Sequence, residues 1–181
     1  KCLRERHMPT NVNPVTAKVL VALDNIGIQY DIIKCDPTYA DTVNFCREYS
    51  YPIDKSGNTI IVASKKDPVT YSACIVKGSA RLDANKTVKR LMGVSRVSFA
   101  SPEQVIALTG MLIGGITPFA LPDEIPIYVD ENIMRLDYVI LGSGDRSSKI
   151  KVPPIAIAKL RNVRIIPGLS LEDFPKSLNR Y

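Results

Sequence analysis

Two glycine loops hold the groups from which this 181-residue chain could build a site. One is Leu141-Gly142-Ser143-Gly144-Asp145-Arg146-Ser147-Ser148-Lys149, where glycines stand among hydroxyl and charged residues. Backbone amides of Ser143, Gly144 and Asp145, with the Arg146 guanidinium, suit a phosphate or a ribose. The order GxxxxGK[ST] with a following helix is missing, so a P-loop is not supported, and no strand–GxGxxG–helix unit offers a dinucleotide site. A polar hairpin accounts for the same residues. The other loop lies within 110–126, GMLIGGITPFALPDEIP, with Gly114 and Gly115 adjacent between an apolar run and Pro118, Pro122 and Pro126. Paired glycines let another backbone or a ligand approach without a Cβ in the way, and nearby prolines fix the exit direction. With apolar flanks on both sides, Gly114-Gly115-Ile116-Thr117-Pro118 reads as a rigid, buried loop facing a cavity. A tight structural turn under the core is the other reading.

The remaining chemistry is sparse. His7 is the single histidine, so a histidine-based triad or a histidine-rich metal site would depend on one residue near the start. Cys2, Cys35, Cys46 and Cys74 are widely spaced with no CxxC, which argues against a zinc knuckle or a disulfide framework and suits a reducing, cytoplasmic setting. Nothing in the motifs calls for a metal or a cofactor. A net charge of +6 and a pI of about 9.2 favour polyanionic partners, although a solvated basic surface explains them equally. Lys86, Lys89 and Arg90 form a basic face on a short helix that could meet an RNA backbone, or could simply be solvated. No apolar run reaches the ~18 residues of a membrane span, and no secretion signal is recognisable at the start. Spacing alone assembles no catalytic constellation.

The elements that would carry these loops can be read in order. Asn13-Pro14 caps a helix running to Gly27, with Val15, Val19, Ala22 and Ile26 at helical spacing. A strand over 28–33 precedes the Asp36-Pro37 turn, and a helix spans 38–49. Strands 58–63 and 70–77 flank Lys65-Lys66-Asp67-Pro68 as a hairpin, followed by a basic helix 83–92 closed by Gly93. A strand over 96–99 leads to Ser101-Pro102-Glu103-Gln104, a capping-box start for a helix ending at Gly110. Strands are expected over 127–129, 138–141, 150–152 and 163–166, with a helix over 154–160 and a peripheral tail over 168–181. Strand count and hairpin-short connections give an α+β (mixed α/β) class: one domain over 1–181 with a central mixed, partly antiparallel sheet and surrounding helices.

The segment Leu108-Thr109-Gly110, then Gly114-Gly115-Ile116-Thr117-Pro118-Phe119 and Leu121-Pro122, resembles the signature of the YbaK/ProX-type aminoacyl-tRNA editing domains. These are relatives of the insertion domain of bacterial prolyl-tRNA synthetase. SARLDANKTVKRLMG, SFASPEQVIALTG and VILGSGDRSSKIKV continue the resemblance in order, over roughly residues 13–167. It implies a deacylase that hydrolyses the ester of mischarged tRNA in trans, with the aminoacylated 3′ end of tRNA as substrate and a synthetase as a possible neighbour. It implies no cofactor. The family's Gly-x-x-x-Pro loop falls on Gly114 to Pro118, where backbone groups would line the aminoacyl pocket. The resemblance breaks at one position: the family usually has a functional lysine just before the strand that reads here as 59–62, and this chain has Asn58. Asn58 can hydrogen-bond a hydroxyl or carbonyl but brings no charge. Lys55 and Lys86 are the candidates to supply one, Lys86 and Arg146 the candidates to touch tRNA. A non-catalytic binder of tRNA or an aminoacyl compound is the alternative implied by Asn58.

Overall fold

The computed structural model describes residues 12–171; Cys2, His7 and residues 172–181 lie outside them. Helix α1 (Pro14–Ile26) begins as the sequence predicts, with the Asn13 side chain accepting from the Val15 amide and Gly27 closing it at φ 71°. Its buried stripe is Thr16, Val19, Leu20 and Leu23, leaving Val15 and Ile26 at the margin. Strand β1 (Asp31–Lys34) is shorter than expected, because its partner strand pairs only from Asp31 onward. Ile28 and Tyr30 pack on the core without joining the sheet.

The helix expected over 38–49 is split. A 3-10 turn covers Pro37–Tyr39, and α2 (Thr42–Glu48) starts afresh after Asp41. The Ala40 carbonyl, which a continuous helix would give to its own backbone, instead accepts from the Lys149 ammonium. The predicted hairpin is β2 (Gly57–Ser64) with β3 (Tyr71–Lys77), paired antiparallel from Gly57↔Lys77 to Ala63↔Tyr71. The two-residue strand β4 (Arg81–Leu82) follows. The predicted basic helix forms as a π-helical turn (Ala84–Val88), capped by Asp83, running into α3 (Lys89–Met92).

Strand β5 (Val97–Phe99) and helix α4 (Pro102–Thr109) come next, the latter with a complete Ser101–Gln104 capping box. Beyond the glycine loop lie β6 (Ile127–Asp130), α5 (Glu131–Met134), β7 (Val139–Gly142), β8 (Ser148–Val152), α6 (Ile155–Ala158), β9 (Val163–Ile166) and β10 (Ser170–Leu171). The short elements β4, α5 and β10 carry too few residues to show a period. Leu169 is buried, and β10 pairs with β4.

The central sheet has the order β5-β2-β3-β6-β9, antiparallel around β2 and parallel across β3-β6-β9. This is the mixed α+β architecture the sequence predicts. A second, antiparallel sheet β1-β8-β7 packs against it. Ile61, Ala73, Ile75, Ile127 and Val129 meet Val139, Leu141, Ile150 and Val152 in the main core, with Val19, Leu20 and Leu23 of α1 completing it. Alternation sends Val62, Cys74, Val76 and Tyr128 to the opposite face of the central sheet, where Leu82, Val88 and Leu169 cover them. Ile140 turns to a smaller cluster with Cys35, Ala40, Phe45 and Cys46.

Candidate functional site

The two glycine loops read separately from the sequence form one structure. Gly115 and Gly142 pack backbone to backbone: a Cβ on Gly115 would run into the Asp145 main chain, and one on Gly142 into the Gly115 and Ile116 carbonyls. Only glycine allows this approach. The Gly144 amide donates to the Gly115 carbonyl at 2.7 Å, and Leu112 donates back to the Gly144 carbonyl at 3.0 Å. Inside the second loop, Asp145 is buried and accepts from the Ser147 amide (2.9 Å) and from the hydroxyls of Ser147 and Ser143. Ser143 also donates to the Ser148 carbonyl at 2.9 Å. Ser143 and Asp145 therefore hold the loop's shape from within.

Where the crossed loops approach the end of β2 there is a cavity of about 400 Å³. Gly114 and Ile116 form one wall, and Gly57, Asn58, Thr59 and Ile60 of β2 another. Asp41, Thr42, Val43, Phe99, Gly142 and Lys149 also border it. Strand β5 pairs only with Val62 to Ser64, so the preceding stretch of β2 has no strand along that edge. The Ala100 amide donates to the Ile61 carbonyl, so residues of the same parity aim their backbone groups away from β3. Thr59 thus presents main-chain N–H and C=O toward the cavity. The Asn58 Oδ1 accepts from the Thr42 hydroxyl at 2.5 Å, which leaves the amide NH2 as its unspent donor. Val43 (61% exposed), Phe99 (59%) and Ile113 (42%) make an apolar rim.

Two cations brace this wall. Arg146 donates to the Pro37 carbonyl (3.0 Å) and the Ile113 carbonyl (2.8 Å), and pairs with Asp41 at 3.3 Å. It ties the turn before α2 to the glycine loop. Lys149 is 5% exposed, and its ammonium donates to the Ala40 and Gly114 carbonyls, each at 2.5 Å. Burial pulls its pKa below the usual lysine value; the nearby thiol of Cys35 works against that shift and the Arg146 charge adds to it. The buried thiols of Cys35 and Cys46 are pushed up, again chiefly by burial.

Among the residues singled out from the sequence, Asn58, Gly114 and Ile116 meet in this cavity, and Gly115 supports it from behind. Thr117 is fully buried, its hydroxyl without a hydrogen-bond partner among the described residues. Pro118 lines a different cavity, of about 660 Å³, between α1 and the segment before β6. Gly144 has φ 101° and lies against Val15 of α1. Lys86 is exposed on the π-helical turn and does not border the Asn58 cavity, and Lys55 is engaged by Asp137 at 2.7 Å. The cation in the cavity is Lys149, which sequence reading missed. Alternation around Ile150 places Lys149 on the face away from the main core, the usual place for a solvated lysine; it is buried because α2 and the preceding turn fold over that face. No group of three metal-ligating side chains occurs among the described residues, and no helix there is long and apolar enough to cross a membrane.

Comparison with known proteins places these features. The family model for the aminoacyl-tRNA editing domain matches residues 36–160, which include both glycine loops and all of the cavity lining. A curated relative from Enterococcus faecalis, named "Putative Cys-tRNA(Pro)/Cys-tRNA(Cys) deacylase EbsC", is 28% identical over 103 residues, 57% of this chain and 60% of that protein. "Uncharacterized protein YwhH" of Bacillus subtilis is 32% identical over 80 residues, 44% of this chain and 50% of its own length. The chain thus spans one half to three fifths of these relatives. Among solved structures, "a putative trans-editing enzyme for prolyl tRNA synthetase" superposes with a TM-score of 0.74 at 22% identity, over 87% of this chain and 98% of that one. "Hypothetical protein APE2540" does so with 0.74 at 24% identity, over 85% and 99%. These two likenesses concern the fold. With the family model covering more than two thirds of its length, the chain belongs to the aminoacyl-tRNA editing domain family, the YbaK/ProX-like group.

Proposed function

We propose that this protein hydrolyses the ester between an amino acid and the 3′ end of a mischarged tRNA, acting in trans. The observation that carries the reading is the cavity itself: the family's glycine loop, a bare stretch of strand edge at Thr59 and a buried ammonium converge on one space of about 400 Å³. An aminoacyl ester is already labile. Fixing its carbonyl near placed donors, with a water alongside, lowers the barrier without a nucleophilic triad. The apolar rim of Val43, Phe99 and Ile113, with Ile60 and Ile116 inside, favours an uncharged aminoacyl group and the face of the terminal nucleoside. An apolar pocket separates amino acids by only ~1–3 kcal/mol per methylene, which is why clearance after charging is needed. The name of the Enterococcus relative makes cysteinyl esters on proline- and cysteine-specific tRNAs a sensible first choice of substrate. A synthetase acting alongside belongs to the same proposal.

The test is a deacylation panel: tRNAs carrying different wrong amino acids, incubated with the protein and in buffer alone. Faster loss of at least one ester supports the reading, and equal loss of every ester refutes it. One observation favours a second reading, a binder without turnover. Asn58 is neutral and its carbonyl is already taken by Thr42. That reading expects tRNA affinity falling steeply with salt and no ester loss.

A further inference from the structure

The geometry points to Lys149 as a catalytic residue of this pocket: a charged donor held for the oxygen that becomes negative when the ester is attacked. The inference rests on the deacylase reading above and deepens it.

Its basis is a burial cost that the protein compensates only in part. Lys149 is 5% exposed, and among the described residues no carboxylate lies within ion-pair distance of it. The nearby acid, Asp41, is paired with Arg146. A buried ammonium normally takes a carboxylate partner or gives up its proton. Here two of its three N–H bonds go to the Ala40 and Gly114 carbonyls. Those bonds and the Phe45 ring, 5.7 Å away, fix the head group, but no carboxylate neutralises its charge, and one N–H is left over. Lys149 also borders the cavity that Thr59 of β2 lines. A neutral side chain such as glutamine could join the two carbonyl-bearing loops at lower desolvation cost. A full positive charge gains value only if negative charge appears beside it, and that happens in the reaction.

The step balances without any further reactant. Water adds its oxygen to the ester carbonyl carbon, and the carbonyl π pair moves onto the carbonyl oxygen, which accepts the third N–H of Lys149. The tetrahedral species collapses: the C=O bond re-forms and the carbon–ribose oxygen bond breaks. The ribose oxygen takes up the proton that the attacking water loses, giving a free amino acid and an uncharged tRNA end. Lys149 keeps its proton throughout and does not act as base. An ammonium whose pKa is lowered by burial is the stronger hydrogen-bond donor to such an oxyanion.

The experiment compares wild type, Lys149→Met and Lys149→Arg on the ester that wild type cleaves fastest, with loss in buffer subtracted and thermal melts recorded. The expected result is a folded K149M with kcat reduced at least 100-fold and KM changed less than threefold, and K149R recovering at least tenfold of the loss. The wild-type kcat should also fall on an alkaline limb below the usual lysine pKa of 10.5, and that limb should vanish in the residual activity of K149M. A folded K149M with kcat within threefold of wild type, or a loss carried by KM alone as for a structural clamp, overturns the assignment and leaves the deacylase reading standing. If wild type cleaves no ester, both fall. If neither variant folds, the wild-type pH profile decides: a limb below 10.5 supports Lys149, and a flat profile overturns it.

Discussion

Asn58 stands where the resemblance implied a lysine, and the structure gives the asparagine a local setting. Its carbonyl is fixed by Thr42 while its NH2 makes no hydrogen bond of its own among the described residues, in a cavity that Lys149 also borders. Removing the amide with Asn58→Ala strands the Thr42 hydroxyl and should cost about 1 kcal/mol of stability, read as a shift in denaturant midpoint. On the deacylase reading it should also lower kcat/KM about tenfold in the panel assay. Introducing a lysine has a different expected outcome. Asn58→Lys sets a second ammonium in the space that Lys149 already borders, so the midpoint should fall and kcat/KM should not rise above wild type. A gain in activity with N58K would show that the pocket lacks a cation and that Lys149 does not serve as one.

At the scale of elements, the site depends on two loops crossing at glycine. Gly115→Ala would push a Cβ into the Asp145 main chain, where nothing flexible can yield, so a loss of about 3 kcal/mol is expected. Gly93→Ala is the control: unlike Gly115 it stands at positive φ, but open space surrounds it, and the cost should be only about 1 kcal/mol from the backbone. Comparable midpoint losses in the two variants would contradict the close crossing. The glycine pair and its prolines marked this loop in the sequence because they restrict backbone directly. The sequence marked the partner loop as well, but not that the two cross. That Gly142 packs on Gly115 is a tertiary contact between loops distant in sequence, whereas Ser143 and Asp145 spend their polar atoms on near neighbours inside their own loop, as a polar hairpin does. Helix caps at Asn13 and Ser101 were legible because a cap is a contact between neighbours in sequence. The helix over 38–49 misled because it is split at Ala40, whose carbonyl has its partner, Lys149, 109 residues away.

For the whole molecule, the mixed sheet sets both stability and site. Cys74, at the centre of β3, is fully buried, and burial pushes its thiol up from 9.0 to about 12. A group whose folded pKa is raised stabilises the fold fully below the unfolded value and loses that contribution as pH climbs toward the folded value. Cys35 and Cys46 shift in the same direction, so stability should decline as pH rises through 9 toward 12. Lys149, shifted downward, opposes this with the contrary slope up to its ordinary 10.5. Cys74→Ala should remove about 1.4 kcal/mol per pH unit of the decline across that window, measured by denaturant melts at fixed ionic strength. An unchanged slope would place the pH response elsewhere. Strand types and the α+β class were readable from alternation and turn residues, whereas the parallel pairing of β3, β6 and β9 was not, because each partner is distant in sequence. The same holds for the cavity, assembled from α2, β2, β5, β8 and the glycine loop. Its role is tested most directly by running the mischarged-tRNA panel on wild type beside Ile60→Trp, which fills the cavity from a half-buried wall position. Wild type should release at least one wrong amino acid faster than buffer, and I60W, folded by thermal melt, should not. No release by wild type, or equal release by both proteins, would contradict that role.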